Sequence, residues 1–286
     1  MAEQNEEVVE GSCLCAAVCY KMHGPFHDML HCHCSMCRKA HGSPFATFVG
    51  GERLEWVSGC DHIESYASTT SSYRHFCRNC GSPTPGPDTN RQPFVPAGSL
   101  QTDCGERPTC HCFVESKVPW AELGEDVPAF PQFPEGMNIT VHDRPSLLPD
   151  TEGAIGGSCL CGAVRYEILG TPSLMVSCHC SRCRRARGAA HATNLFIERD
   201  QLNWLAGEAS VIRYDLAGAV RFGQNFCRHC GSPMPRWSDK LSRYNVPCGA
   251  LDTDPRMGPA YHIFVGSKAP WFQIRDKLPQ HETTAT

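Results

Sequence analysis

The chain has 286 residues, of which 41% are hydrophobic and 20% are charged, and its formal net charge is −4 at pH 7. This composition is typical of a folded globular protein. The negative net charge gives no general attraction to nucleic acid, and the sequence contains no apolar run of about 18 residues that would predict a membrane span. The first ten residues, MAEQNEEVVE, are acidic and lack an apolar core. We therefore expect no secretory signal and a cytoplasmic location, with the nucleus as a second option.

Cysteine is the unusual component of the chain. Its 20 cysteines make up about 7% of the residues, close to the roughly 8–10% that marks short secreted disulfide scaffolds. A long chain without a signal is expected in a reducing compartment, where clustered thiols are more often metal ligands than disulfides.

Four motifs occur twice, in the same order and at nearly constant offsets of 146 to 151 positions. The pairs are GSCLCAAVCY (11–20) with GSCLCGAVRY (157–166), HCHCSMCRKAHG (31–42) with SCHCSRCRRARG (177–188), FCRNCGSPTP (76–85) with FCRHCGSPMP (226–235), and CHCFVESKVPW (110–120) with YHIFVGSKAPW (261–271). Such regularity indicates an internal duplication. We predict a first domain over 11–134, a linker rich in Pro and Gly over 135–155, and a second domain over 156–280.

The local pattern within each repeat predicts short β-strands. Val18, Tyr20 and Met22 alternate with other residues, and VRYEI (164–168) alternates in the same way. Three further runs are rich in branched and aromatic residues, namely 192–198, 210–216 and 261–267. Because no stretch has a long helical periodicity, we predict two tandem all-β domains, each pinned by metal.

Fourteen of the cysteines form two equivalent sets of seven. They are Cys13, Cys15, Cys32, Cys34, Cys37, Cys77 and Cys80 in the first repeat, and Cys159, Cys161, Cys178, Cys180, Cys183, Cys227 and Cys230 in the second. A closed structural zinc site takes four ligands, whereas a catalytic zinc keeps three protein ligands and one open position. Seven thiols per repeat therefore suggest one closed and one open site, and four zinc ions per chain.

The spacing favours one way of sharing these thiols. The early Cys-x-Cys pair and the late Cys-x-x-Cys-Gly knuckle would together close a structural site, which leaves each Cys-x-Cys-x-x-Cys as a three-thiolate site. The spacing alone also allows the middle cluster to join the late knuckle. In the first repeat, Cys104, Cys110 and Cys112 are spare thiols, any of which could close the three-thiolate site. In the second repeat, the spare thiol is Cys248.

These motifs resemble the glutathione-dependent formaldehyde-activating enzyme family, also called the centromere protein V-like family. The resemblance rests on Gly-Ser-Cys-Leu-Cys, Cys-His-Cys-Ser-x-Cys-Arg, Phe-Cys-Arg-x-Cys-Gly-Ser-Pro and the Lys-x-Pro-Trp ending, which cover about 11–134 and 156–280. It implies a β-tent fold with two zinc ions per domain. The structural zinc would bind the Cys-x-Cys pair and the late knuckle, and the catalytic zinc would bind the Cys-x-Cys-x-x-Cys cluster.

The chemistry of a three-thiolate zinc suits sulfur substrates, because zinc is thiophilic and stabilises a bound thiolate. We expect the open site in the second repeat, at Cys178, Cys180 and Cys183, with Arg184 balancing charge or binding a carboxylate. His179 and His262 are candidate acid–base groups, although orienting the ligands is an equal alternative. The resemblance implies S-hydroxymethylglutathione chemistry. We therefore expect a zinc-dependent carbon–sulfur lyase that acts on glutathione or other thiol adducts.

Two other classes of function stay open at this point. Zinc-pinned β domains also bind proteins, and the centromere branch of the family implies a non-catalytic module for chromatin or a protein partner. The density of thiols also allows a redox or metal sensor. We expect a small-molecule partner, no membrane partner and no nucleic acid, and the duplication suggests that the two domains pack as a pseudo-dimer within one chain.

Overall fold

The computed structural model describes residues 7–123, 127–135 and 146–285, and most of its regular structure consists of short β-strands. The all-β prediction is confirmed for two repeated domains. Residues 136–145 of the predicted linker lie outside the described residues. Each α-helix has seven residues, and none in the described ranges is long and apolar enough to cross a membrane.

The first repeat places its strands in three small sheets, in the orders β1-β2-β5, β10-β9-β3-β4-β8 and β6-β7. Its elements are β1 (Val8–Ser12), β2 (Cys19–His23), β3 (His27–Cys32), α1 (Ser35–His41), β4 (Ala46–Gly50), β5 (Arg53–Ser58), β6 (Ile63–Ala67), β7 (Tyr73–Cys77), β8 (Phe94–Pro96), β9 (Cys110–Cys112) and β10 (Ala129–Phe130).

The second repeat forms equivalent sheets, in the orders β11-β12-β15, β19-β20-β14-β13-β21-β22 and β16-β17-β18. Its elements are β11 (Ile155–Ser158), β12 (Arg165–Ile168), β13 (Leu174–Cys178), α2 (Ser181–Arg187), β14 (Ala192–Ile197), β15 (Leu202–Ala206), β16 (Val211–Asp215), β17 (Gly223–Cys227), β18 (Pro233–Met234), β19 (Arg236–Ser238), β20 (Arg243–Pro247), β21 (Tyr261–Ile263) and β22 (Gln280–His281). Strands are confirmed at four of the predicted positions, namely β2, β12, β14 and β16. In the run 261–267, only Tyr261–Ile263 forms a strand, and Val265–Ser267 is a 3-10 helix.

The same strand arrangement surrounds the middle cysteine cluster in both repeats. β3 lies between antiparallel β4 and parallel β9, and β13 lies between antiparallel β14 and parallel β21. The first cysteine of each cluster ends its central strand, so Cys32 pairs with Ala46, and Cys178 pairs with Ala192. The two clusters therefore stand at equivalent places in the two sheets.

A buried tyrosine explains the glycine that begins each repeat motif. The ring of Tyr20 lies so close to Gly11 that a Cβ atom there would be 2.1 Å from the tyrosine Cζ, and Tyr166 lies equally close to Gly157, at 2.3 Å. Both rings are fully buried. A larger residue at either glycine would displace a core tyrosine next to the Cys-x-Cys turn.

The two repeats pack directly against each other. α1 contacts the 3-10 helix at Cys248–Ala250, and α2 contacts the equivalent 3-10 helix at Ala97–Ser99. A glycine permits each approach, because a Cβ at Gly98 would be 2.2 Å from the Ala189 nitrogen. The His41 ring bonds to the Arg187 carbonyl at 2.6 Å. The repeats therefore share a tight interface with an approximate two-fold relation.

Candidate metal centres

Two groups of four cysteines join the beginning of each repeat to its late knuckle. The thiols of each group lie within 4.8 Å of one another, and the groups are Cys13, Cys15, Cys77 and Cys80, and Cys159, Cys161, Cys227 and Cys230. The knuckle turns at a glycine in the left-handed region, with φ of 73° at Gly81 and 72° at Gly231. We call these groups the first and second tetrads.

The sulfur spacing in the tetrads fits zinc. At a Zn–S distance of about 2.3 Å, two corners of a tetrahedron are about 3.8 Å apart. In the first tetrad, the Sγ atom of Cys15 lies 3.4 Å from that of Cys13 and 3.7 Å from that of Cys77. In the second, the Sγ atom of Cys161 lies 3.3 Å from that of Cys159 and 3.8 Å from that of Cys227. Hydrogen bonds from neighbouring thiols, Cys13 and Cys159 first, lower the pKa of Cys80 and Cys230 respectively. This favours a thiolate in each tetrad.

Two groups of three cysteines lie where a central strand passes into a short helix. They are Cys32, Cys34 and Cys37, and Cys178, Cys180 and Cys183, which we call the first and second triads. The middle cysteine of each triad is the N-cap residue, and its sulfur accepts a hydrogen bond from the backbone N–H of the third, at 3.4 Å in both repeats. The strand-ending cysteine and the two helical cysteines thereby face one point.

No fourth thiol completes either triad among the described residues. Cys104, Cys110, Cys112 and Cys248 are all described, and none lies within 4.8 Å of all three sulfurs of a triad. Cys110 and Cys112 instead lie 3.7 Å from each other, and Cys248 is buried in the interface helix. Among the described residues, therefore, no spare thiol closes the first triad.

The two triads differ in exposure and in charge. The first is fully buried, whereas Cys180 and Cys183 of the second are half-buried. Hydrogen bonds from Cys178 and then Cys183 lower the pKa of Cys180 to about 3. In the first triad, hydrogen bonds from Cys32 and Cys34, followed by the charge of Arg74, hold the pKa of Cys37 well below its usual range. The lowered pKa therefore falls on Cys180 in the second triad and on Cys37 in the first.

Each triad borders a large cavity. The first cavity, of about 860 Å³, has Cys32, Cys34 and Cys37 in its wall. Another cavity, of about 820 Å³, has Cys178, Cys180 and Cys183 in its wall. We call it the third cavity, because the second cavity, described below, lies between the repeats. Four arginines line the third cavity, namely Arg182, Arg187, Arg221 and Arg236. The described lining residues of this cavity include no carboxylate or imidazole.

The candidate histidines lie away from the triad cavities. His179 is buried, and its Nε2 atom lies 2.8 Å from Nδ1 of His262. Nε2 of His262 lies 3.0 Å from both carboxylate oxygens of Asp276. His262 lines a separate cavity of about 560 Å³ between the repeats, the second cavity. In the first repeat, Nε2 of His33 lies 2.9 Å from Nδ1 of His111.

The Asp276 carboxylate fixes the protons along this histidine pair. Because a carboxylate accepts, Nε2 of His262 carries a proton, so its Nδ1 accepts from Nε2 of His179. The Nδ1 atom of His179 is then an unprotonated nitrogen, and it is buried without a hydrogen-bond partner. Burial lowers the pKa of His179 to about 2, so the His179 ring is neutral. Asp276 was missed in the sequence, since it lies 14 residues beyond His262 without a recognisable motif.

The cations beside the triads divide into three kinds. Arg184 lies close to the second triad, and the charge of Cys180 partly offsets the effect of burial, which lowers the pKa of Arg184. Lys39 turns away from the first triad into the repeat interface, where it pairs with Asp252 at 2.9 Å. Arg74, which no sequence motif singled out, hydrogen-bonds to Cys37. Comparing the two repeats does not point to Arg74, because the second repeat has Gln224 at the equivalent position.

The fold and the four thiol clusters define a tandem-repeat β protein whose cysteines can hold metal ions. The sequence pattern of the family described as "Glutathione-dependent formaldehyde-activating enzyme" matches residues 8–116 and 154–267. Since these segments cover most of the chain, the protein belongs to the glutathione-dependent formaldehyde-activating enzyme family, with two tandem domains.

Individual relatives match parts of the chain. A Halomonas elongata protein named "Putative glutathione-dependent formaldehyde-activating enzyme" is 32% identical over 130 residues, which are 42% of this chain and 81% of that protein. A Schizosaccharomyces pombe protein named as an uncharacterized lyase is 38% identical over 72 residues, 25% of this chain and 52% of that protein. A solved Rhodobacter sphaeroides structure is 28% identical, with a TM-score of 0.29, and covers 35% of this chain and 92% of that one.

Proposed function

We propose that the second repeat is a zinc-dependent carbon–sulfur lyase that acts on glutathione or other thiol adducts. The observation that carries the proposal is the second triad, whose half-buried Cys180 and Cys183 face a cavity lined by arginines. The family membership and the name of the S. pombe relative support the same class of reaction.

The residues that would hold zinc follow from the clusters. Each tetrad would hold a structural ion and each triad an ion with one open position, which gives four per chain. Zinc in the second triad would supply a thiophilic position that stabilises a substrate thiolate. We place the domains at 11–134 and 156–280, joined by a linker at 135–155.

The chain's own residues bind and orient the substrate. Arg182, Arg187 and Arg221 line the third cavity and are suited to substrate carboxylates, which arginine binds bidentately. Arg184 sits behind the triad and offsets its negative charge. In an S-hydroxymethyl adduct, the carbon–sulfur bond breaks as the hydroxyl group loses its proton and becomes a carbonyl. Because the described lining residues offer no acid or base, that proton passes to water.

The two histidines proposed as catalytic, His179 and His262, are better suited to orientation. The His179 backbone N–H bonds to the Ile263 carbonyl at 2.9 Å, and its ring is held by His262 and Asp276. This arrangement fixes the segment that carries Cys178 and Cys180.

The test is release of formaldehyde and free thiol from S-hydroxymethylglutathione and other adducts by the zinc-loaded chain. We expect Cys180→Ser to lower kcat/KM by about a hundredfold or more, and Cys34→Ser, its match in the first repeat, to keep most of the turnover of this adduct. Equal loss in both variants would contradict the assignment to the second repeat. No turnover of any adduct by the wild-type chain would point instead to a binding module.

A further inference from the structure

We propose that the first cavity binds an apolar thiol adduct, such as an aryl or benzyl thiol derivative, rather than a glutathione-like anion. The proposal rests on the proposed function in one premise, that a triad accepts a substrate sulfur. It goes further by assigning the two repeats to different classes of substrate, because the walls of their cavities differ in their aromatic and charged residues at equivalent positions.

The strand register shows which residues are equivalent in the two walls. Phe48 lies opposite Pro96 in the first repeat, and Asn194 lies opposite Pro247 in the second. One step along the same pair of strands on this face, Gly50 lies opposite Phe94, and Phe196 lies opposite Asn245. Two phenylalanines of the first repeat are therefore replaced by two asparagines in the second.

These phenylalanines contribute to an aromatic surface in the first cavity that consists of two pairs of rings. The Phe48 and Phe94 rings are stacked, with centroids 5.4 Å apart and planes at 17°. Phe113 and Phe133, which also line the cavity, meet edge to face with centroids 4.8 Å apart. Phe94 is exposed, so this surface extends to the mouth. Aromatic faces of this kind bind apolar and aromatic groups.

The charged residues of the two walls also favour an apolar ligand in the first cavity and an anionic ligand in the third. The first cavity has two arginines and two aspartates among its described lining residues, and Arg91 pairs with Asp88 at 3.4 Å. The third cavity has four arginines and no described carboxylate. One of these four, Arg236, pairs with Asp215 at 2.5 Å, whereas the other three have no carboxylate partner among the described residues. A substrate with two carboxylates would therefore meet more uncompensated cations in the third cavity, and it would lose hydration against the aromatic pairs of the first.

A half-buried arginine makes the first triad suitable for a neutral ligand. Three thiolates around a divalent ion carry a formal charge of −1, and the guanidinium of Arg74, hydrogen-bonded to Cys37, offsets that charge. The equivalent Gln224 instead donates to the Cys80 carbonyl. The first triad therefore does not need a cationic group on the substrate, and the apolar wall supplies the remaining contacts.

Titration calorimetry on the zinc-loaded full chain tests the proposal, with benzyl mercaptan and glutathione as probes. The double variant F48N/F94N gives the first cavity the asparagines of the second, and N194F/N245F is the matched reverse. We expect F48N/F94N to weaken benzyl mercaptan binding at least tenfold and to leave glutathione binding unchanged. We expect N194F/N245F to weaken glutathione binding and to leave the affinity of the first cavity for benzyl mercaptan unchanged.

Several results would overturn the proposal. One is unchanged benzyl mercaptan affinity in F48N/F94N, and another is an equal loss of both probes. Circular dichroism and zinc content establish that each variant is folded. If the double variant does not fold, the single F94N, at an exposed position, should still weaken benzyl mercaptan binding severalfold. Since calorimetry needs no turnover, these results remain readable even if the lyase activity is absent.

Discussion

The ammonium group of Lys39 lies 2.9 Å from the carboxylate of Asp252 and ties the first repeat to the second. Both side chains are buried, with 7% and 1% of their surfaces exposed. Lys39 also donates to the carbonyl and the hydroxyl of Ser158, at 3.0 and 2.9 Å. This cation, which follows the first triad in the sequence, therefore serves the interface between the repeats.

Removing one member of this pair should destabilise the whole chain. Lys39→Met leaves Asp252 buried without a counter-charge, and we expect a loss of about 3–5 kcal/mol in the free energy of unfolding. Urea unfolding followed by circular dichroism measures it. The control is Arg185→Met, the same change at the equivalent, half-buried position of the second repeat, which should cost less than about 1 kcal/mol. Equal losses would contradict an interface role for Lys39.

The tetrads and triads should respond differently to the loss of a thiol. Cys227→Ser opens the second tetrad, and because structural zinc contributes on the order of 10 kcal/mol to folding, we expect the second repeat to unfold. Cys180→Ser should remove one zinc ion and keep the fold. Elemental analysis and thermal unfolding measure both effects. If both variants lose the same thermal stability, both sites are structural.

Asp276→Asn should change the tautomer of His262 and disturb the support of the second triad. We expect kcat to fall by about tenfold to a hundredfold with little change in KM, the usual range for a residue that orients a ligand. The 15N chemical shifts of the imidazoles should move as the proton leaves Nε2, and Asp276→Glu should partly restore both. An unchanged 15N spectrum would mean that Asp276 does not set the tautomer.

Buried neutral histidines should make the protein sensitive to mild acid. Burial lowers the pKa of His191 to about 3, so between about pH 6.5 and pH 3 the unfolded chain binds a proton that the folded chain does not. Stability therefore falls as the pH falls through this range, by about 1.4 kcal/mol per pH unit for each such group. Between pH 6 and 5, His191→Asn should reduce the slope of unfolding free energy against pH. Parallel curves for variant and wild type would contradict this.

The sequence was sufficient wherever the information is local. Alternation predicted β2 and β12, and the spacing of the cysteines favoured the grouping of Cys13 with Cys77 that the structure contains. The short helix after each triad was not predicted, because seven residues are too few to display a helical periodicity. The ion pair of Lys39 with Asp252 and the contact of Arg74 with Cys37 were also not predicted, since both depend on packing between segments that are distant in the sequence.

Each of the helices α1 and α2 packs against the opposite repeat, and this arrangement has an evolutionary consequence. Two separate copies of one polypeptide would have to carry every substitution twice, once on each side of the axis. A covalent fusion lifts that restriction while it keeps the ancestral contact surface. One half can then accept a phenylalanine where its twin keeps an asparagine, and a single gene product can acquire two specificities.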